Sequence, residues 1–426
     1  MTRTDRWGVR GSAPSDTAGA RLDDAVLDLC LMVGQPSAIV AGLIDAEPGW
    51  AMPPIVAAYL DLYAQTVDGN TTAGALLDTA QASITEQDER ARAHYRAARL
   101  WHAGQLAAAL DTLGRWLGDQ PRDLLALRIA QDLAFFIGDG TELLGVPERA
   151  LGSWSPTESE RGIVAGMAAF GLEEQGCLPD AEDLATAALE ANPSDPWATH
   201  ALAHVYEMEG RSEIGAAFLR DSSPRWSPSF FASHNWWHLA LFCIEQDDLE
   251  GATDLLHGPI DAPSPTVWFE VVNQVSLRWR LWLLGTEVPL PSELIEVLLA
   301  RTDEHLSVFN DLHAVAGLAL AGESDAVDRV IAGYGPGSDR PAVRHLLQGI
   351  ADFADGRFAP AAEQLTAART ATASIGGSAA QRDLVDQTLL VATARSGGRA
   401  DRIAELVATH PSRWSARTTE RLLATT

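Results

Sequence analysis

The stretch GMAAFGLEEQGCLPDAEDLATAALEANPSDPWATHALAHVYEMEGRSEIGAAFLRD, residues 166–221, decides the fold. It holds two copies of one plan: an Ala/Leu-rich run, a glycine, and a second such run. Gly176 is followed five residues later by Ala181, and Gly210 five residues later by Gly215, so both landmarks recur after 34 residues. Within each run the apolar residues return at helical spacing. Glycine ends the first helix of a copy without a Cβ penalty, and the small residue early in the second lets the two helices pack closely. Each copy therefore predicts a helical hairpin.

Looser copies flank this pair. Gly104 stands five before Ala109, Gly356 five before Ala361, and in NWWHLALFCIEQDDLEGATDLL the turn residue is Asp247, five before Ala252. A period of 34 residues is that of tetratricopeptide repeats. The reading is all-α, a tetratricopeptide-like alpha-alpha superhelix, that is, a solenoid of about seven helical hairpins. Residues 1–20 read as a flexible leader and residues 21–426 as a single solenoid. Within it, 21–85 are non-repeating helices, 86–426 are hairpins, and 163–225 hold the clearest repeats.

Composition narrows the class of function. The 426 residues carry 31 Lys+Arg against 58 Asp+Glu, a formal net charge of −27, which speaks against nucleic acid and against an anionic membrane surface. A 46% hydrophobic content supports a large core. No run reaches the roughly 18 apolar residues of a membrane span, and the opening residues have no apolar segment of a secretory signal. Three separated cysteines, Cys30, Cys177 and Cys243, provide neither a disulfide framework nor a cysteine zinc site. The expectation is a cytoplasmic chain.

The hairpin register sorts side chains by face. With Gly210 as position 15 of its copy, the core set is Thr199, Leu202, Ala203 and Tyr206, and the inward-facing set is Trp197, His200, His204 and Glu207. Two histidines four apart and an acid three further on thus share one helix face. The next copy places His234 and Trp237 inward, with His238 beside them and Cys243 in the core. Upstream, Arg128 and Asp132 face inward, as do His94 and Trp101; downstream, Asn310, Asp311 and His313 lie on a first helix. Ser378 and Gln381 have capping-box spacing, and Arg382 and Asp383 follow at the helix start. The remaining histidines, His102, His257, His305, His345 and His410, read as solvated surface.

This inner wall suits a small polar or aromatic molecule. In that reading His200 and His204 carry protons, Glu207 orients or accepts, His238 joins the catalytic set as an opposing donor together with His234, and the chemistry is cofactor-free hydrolysis, elimination or isomerisation. Trp197, His234, Trp237, Arg128, Asp132, Asn310, His313, Arg382 and Asp383 would bind substrate, Arg382 as an anion anchor. No metal is assigned, although Zn²⁺ or Fe²⁺ at the His/Glu cluster is the runner-up. The competing class is a non-enzymatic adaptor that takes a peptide or protein along the same surface; a closed pocket favours the first reading and an open channel the second.

DLLALRIAQDLAFFIGD, the 166–211 stretch, FASHNWWHLALFCIEQDD, FNDLHAVAGLALAG and IGGSAAQRDLVDQTLL resemble, in that order, the tetratricopeptide-repeat protein thirty-eight family over roughly residues 45–400. The resemblance implies an all-helical repeat fold and matches family-like positions at Arg128, Asp132, His200, His204, Glu207, His234, Trp237, His238, Asn310, Asp311, His313, Gln381, Arg382 and Asp383. Gln131 and Cys243 are departures, standing at or beside places where similar sequences carry histidine.

Overall fold

The computed structural model describes residues 2–335, 341–398, 400–408 and 414–424. Among them the chain is helical almost throughout, in two compact units: residues 1–202 with 224–232, and residues 203–223 with 233–426.

Unit 1 begins with an element the sequence reading missed. Residues 1–20, expected as a loose leader, contain a two-stranded antiparallel hairpin, β1 (Thr2–Thr4) and β2 (Arg10–Ser12), and the start of the first helix. Three-residue strands are too short to show alternation. Asp5 builds the turn, its Oδ1 accepting from the backbone of Trp7 at 3.0 Å and Val9 at 2.8 Å. Trp7 and Val9 are buried, which anchors the segment by its apolar side chains. Then follow α1 (Asp16–Leu31), α2 (Pro36–Ala46), α3 (Met52–Tyr63) and α4 (Val67–Gln81) in the region expected to be non-repeating. α5 (Glu89–His102), α6 (Leu106–Asp119), α7 (Leu124–Ile137), α8 (Gly140–Leu151), α9 (Glu160–Glu174) and α10 (Leu178–Ala191) continue the run. From α1 to α10 each helix packs on the next.

The division between the units falls inside α11 (Pro196–Met208), between Leu202 and Ala203. Unit 2 contains most of α12 (Ser212–Trp226), then α13 (Ala232–Glu245), α14 (Leu249–Leu255), α15 (Trp268–Leu283), α16 (Ser292–Ala300) and α17 (Val308–Leu320). It ends with α18 (Ser324–Ala332), α19 (Pro341–Ala354), α20 (Phe358–Ala368), α21 (Ala379–Arg395), α22 (Ala400–Ala408) and α23 (Ala416–Ala424). Alternate helices meet in sequence, α15 on α17, α17 on α19 and α19 on α21, and α21 returns to touch α15. Trp279 of α15 and Phe353 of α19 lie in the resulting core, their ring centroids 6.0 Å apart.

The turn residues behave as the repeat requires. Gly104, Gly138, Gly176, Gly210 and Gly356 have φ between 69° and 76°, and Asp247 adopts 64° in the same role. The small residues five further on, Ala109, Ala181, Ala252 and Ala361, have no exposed surface. At Gly215 a Cβ would sit 2.4 Å from the Phe242 ring, so only glycine allows this approach of α12 to α13. No helix among the described residues is long and apolar enough to cross a membrane.

Candidate functional site

α11 is set by Asp195, whose Oδ1 accepts from the backbone N–H of Trp197 at 2.9 Å and Ala198 at 3.1 Å. Burial pushes this carboxyl up to about 6, against the pull of these two hydrogen bonds. Beyond the cap, helical spacing puts His200 one turn before His204, and His204 nearly one turn before Glu207.

In unit 1, Trp197 and His200 lie among aromatic rings. The Trp197 ring is 4.2 Å from Phe231, and His200 is 5.1 Å from Phe170 and 5.0 Å from Phe231. Arg128 places its guanidinium 4.2 Å over Trp197 and chelates Asp132, which also accepts from the Tyr63 hydroxyl. The two charges expected at a binding surface therefore answer each other. His94, expected inward, is buried and joined to Asp123 at 3.2 Å. Gln131 donates to the carbonyls of Leu143 and Met167, tying α7 to α8 and α9.

In unit 2, three histidines converge. One ring nitrogen from each of His204, His234 and His238 lies within 4.8 Å of the others, and all three are buried. His238 holds Glu207, Nδ1 to Oε2 at 3.0 Å. His234 holds Asn273, Nδ1 to Oδ1 at 2.8 Å, and the Asn273 amide donates to Ser233. An amide oxygen only accepts, so His234 Nδ1 carries the proton and Nε2 presents the lone pair. A carboxylate imposes the same tautomer on neutral His238. Trp237 stacks on His234, centroids 5.1 Å apart and 9° from parallel, and donates to Ser276 at 2.9 Å.

Burial is the main cause that drives His234 down to about 3 and His238 well below the ordinary histidine value, aided by the nearby His204. Both are neutral at pH 7. A group in acid–base work serves best with a pKa near the operating pH, which speaks against buried, neutral His238 in the opposing-donor role expected from sequence. A neutral imidazole with its other nitrogen fixed by a carboxylate or amide has the form of a metal ligand.

Further along unit 2, His313 donates Nδ1–H to the Phe309 carbonyl at 2.7 Å, and burial lowers it to about 4. Asn310 is buried beside it on α17. Asp311 accepts from His305 at 3.0 Å and Tyr334 at 2.6 Å, so His305, expected on the solvated surface, is an ion-pair partner instead. The capping box forms, with Ser378 and Gln381 bonding each other's backbone N–H. Arg382 donates to the Gly377 carbonyl, and Asp383 accepts from Gln387 and Trp414. Cys243 is core, as expected, with Arg220 donating to its sulfur. His410 lies outside the described residues.

Sequence reading placed α15 in a helical region but singled out none of its polar residues. Its segment WFEVVNQVSLRWRLWL reads as a greasy patch broken by polar residues, yet Glu270, Asn273, Ser276 and Arg280 are buried there. Their spacing of three, three and four is one helix face, the signal that was available. Glu270 is pushed up to about 7 by burial. No known protein-family model matches the chain.

Proposed function

We propose that unit 2 houses a metal-dependent small-molecule enzyme site in which His204, His234 and His238 hold one divalent first-row ion of the zinc class. The convergence of three buried imidazoles, two with Nδ1 fixed by Glu207 and Asn273, carries this reading. Three protein nitrogens leave a coordination position for water or substrate, as in catalytic zinc sites. The ion would supply Lewis acidity, suited to hydrolase or lyase chemistry. Glu207 and Asn273 orient the ligands, and Trp237 walls the site.

The same proposal includes the finer fold and setting. The positive-φ turns at Gly138, Gly176, Gly210 and Asp247 support a tetratricopeptide-type superhelix and the likeness to the tetratricopeptide-repeat protein thirty-eight family. Unpaired cysteines fit a cytoplasmic setting, and the net charge of −27 fits neither nucleic-acid nor membrane partners. Burial of every histidine in the cluster works against an open peptide-binding channel and so against the adaptor reading.

Elemental analysis of protein purified without chelator tests the centre. One equivalent of zinc or iron in the wild type, lost in a His234→Ala/His238→Ala double variant that still folds, is the expected result. Wild-type protein that holds no metal and gives no visible absorption band with Co²⁺ would overturn it.

A further inference from the structure

Among the described residues four arginines are buried to 7% exposure or less: Arg90, Arg128, Arg278 and Arg280. Three are matched by carboxylates. Arg90 meets Asp5 and Asp123, Arg128 chelates Asp132, and Arg278 chelates Asp261. Arg280 has no carboxylate within ion-pair distance among the described residues; Asp383 and Glu207 act on it only from farther away. It donates to backbone carbonyls only, Ser276 at 3.2 Å, Ala380 at 2.7 Å and Gln381 at 3.4 Å. Its Nε–H, also buried, has no hydrogen-bond acceptor among the described residues. A guanidinium stays charged in any protein interior, and a buried charge without a carboxylate in direct contact is costly.

The surroundings resemble a ligand site more than a scaffold joint. The guanidinium lies 5.2 Å from the Trp237 ring, which stacks on His234. Its charge is felt by both His238 and His313. His313, with its Nδ1 proton on the Phe309 carbonyl, has a buried acceptor nitrogen, Nε2, that no donor meets among the described residues. A charged donor and a neutral acceptor thus lie near the histidine cluster in one unit.

We propose that Arg280 is the anion anchor of this site and that its substrate is a small carboxylate, held by the guanidinium edge that bears Nε–H. The planar fork of donors matches a planar carboxylate. Arg280 takes the role that sequence reading gave to Arg382, which instead holds a backbone carbonyl. The guanidinium is closed off from solvent, so the ligand is one that the protein encloses. The substrate class rests on the enzyme reading above, whereas the anchor itself does not require the metal.

Thermal unfolding of the full chain with sodium acetate, sodium phosphate or sodium chloride at matched ionic strength tests the anchor, with metal content measured on the same samples. Acetate should raise the wild-type midpoint by about 2–4 °C over chloride once it is far above its dissociation constant. Arg280→Gln should abolish the rise at unchanged metal content. Arg280→Lys, which keeps the charge but not the fork, should need at least about tenfold more acetate, and it decides the matter should the Gln variant not fold. No acetate effect in the wild type, or an equal effect in all variants, overturns the anchor; a response to phosphate alone overturns the carboxylate class. An Arg280-dependent acetate response in metal-free protein supports the anchor while removing the metal reading.

Discussion

Arg90 in unit 1 and Arg280 in unit 2 are equally enclosed, and they are treated differently. Around Arg90, Asp123 takes two guanidinium hydrogen bonds, a third from Trp116 at 2.9 Å, and the Ala126 N–H at the start of α7, and it also touches His94. Asp5 of the N-terminal hairpin completes the pairing at 2.8 Å. The network ties the hairpin to α5 and α7 and holds Asp123 far below the usual carboxylate range, through Arg90 and His94 acting against burial. Around Arg280 there are carbonyls, a tryptophan face and neutral histidines. A saturated network is a structural joint. An interior with a charge that touches no carboxylate, among neutral imidazoles, is the setting on which the proposed anchor rests.

Breaking the saturated side should give the largest effect. Asp123→Asn leaves Arg90 short of a counter-charge and should cost about 3–5 kcal/mol in urea unfolding. A loss below about 1 kcal/mol would mean that the network is not the joint described. Within unit 2, Arg278 and Arg280 sharpen the contrast. Arg278→Met strands Asp261 and should cost about 2–3 kcal/mol, whereas Arg280→Met removes an unmatched charge and should change stability by under about 1 kcal/mol, a gain included. Equal losses from the two would erase the distinction between them.

Acid should then reach the two regions in different windows. His313 is lowered in the folded state to about 4 against an ordinary 6.5, so between those values the unfolded chain binds a proton that the folded chain refuses. Its contribution is full above pH 6.5 and declines as pH falls, by up to about 1.4 kcal/mol per unit. Asp123, depressed in the folded state, keeps its contribution down to the ordinary carboxylate range near pH 4 and loses it below. Melting curves from pH 7 to 4 should be flatter for His313→Gln than for wild type; parallel curves would contradict the assignment. The smallest effect belongs to an exposed pair. Asp111→Ala, which releases Arg115 at 2.8 Å, should cost no more than about 0.5 kcal/mol.

Much of this was legible in the chain. Turn residues 34 apart announced the hairpins, because only an αL-tolerant residue ends one helix and starts the next so tightly, and the register derived from Gly210 brought His204 and Glu207 to the neighbourhood of His234 and His238. Three things were not legible. The N-terminal hairpin is held by Asp5–Arg90 and by burial of Trp7, contacts between residues far apart in sequence. Arg280 and Asn273 were hidden in an apolar-looking helix, since a fully buried helix shows no amphipathic contrast to mark its polar face. Arg382 and Arg280 look alike as letters; their hydrogen bonds separate them.

Periodicity and local chemistry, the choice of residue at each helix end and the spacing of four on a face, are properties of neighbouring residues, and the sequence by itself determined them: an all-helical chain of hairpins with histidines at defined offsets. Charge pairing is a property of residues brought together from distant places. Whether Asp132 would answer Arg128 or a ligand, whether His234 and His238 would be solvated bases or buried neutral imidazoles, and which arginine would touch no carboxylate were decided by tertiary structure. The physical reason is that burial and the position of the counter-charge set the energy of a charged group, and neither is written in its immediate neighbours.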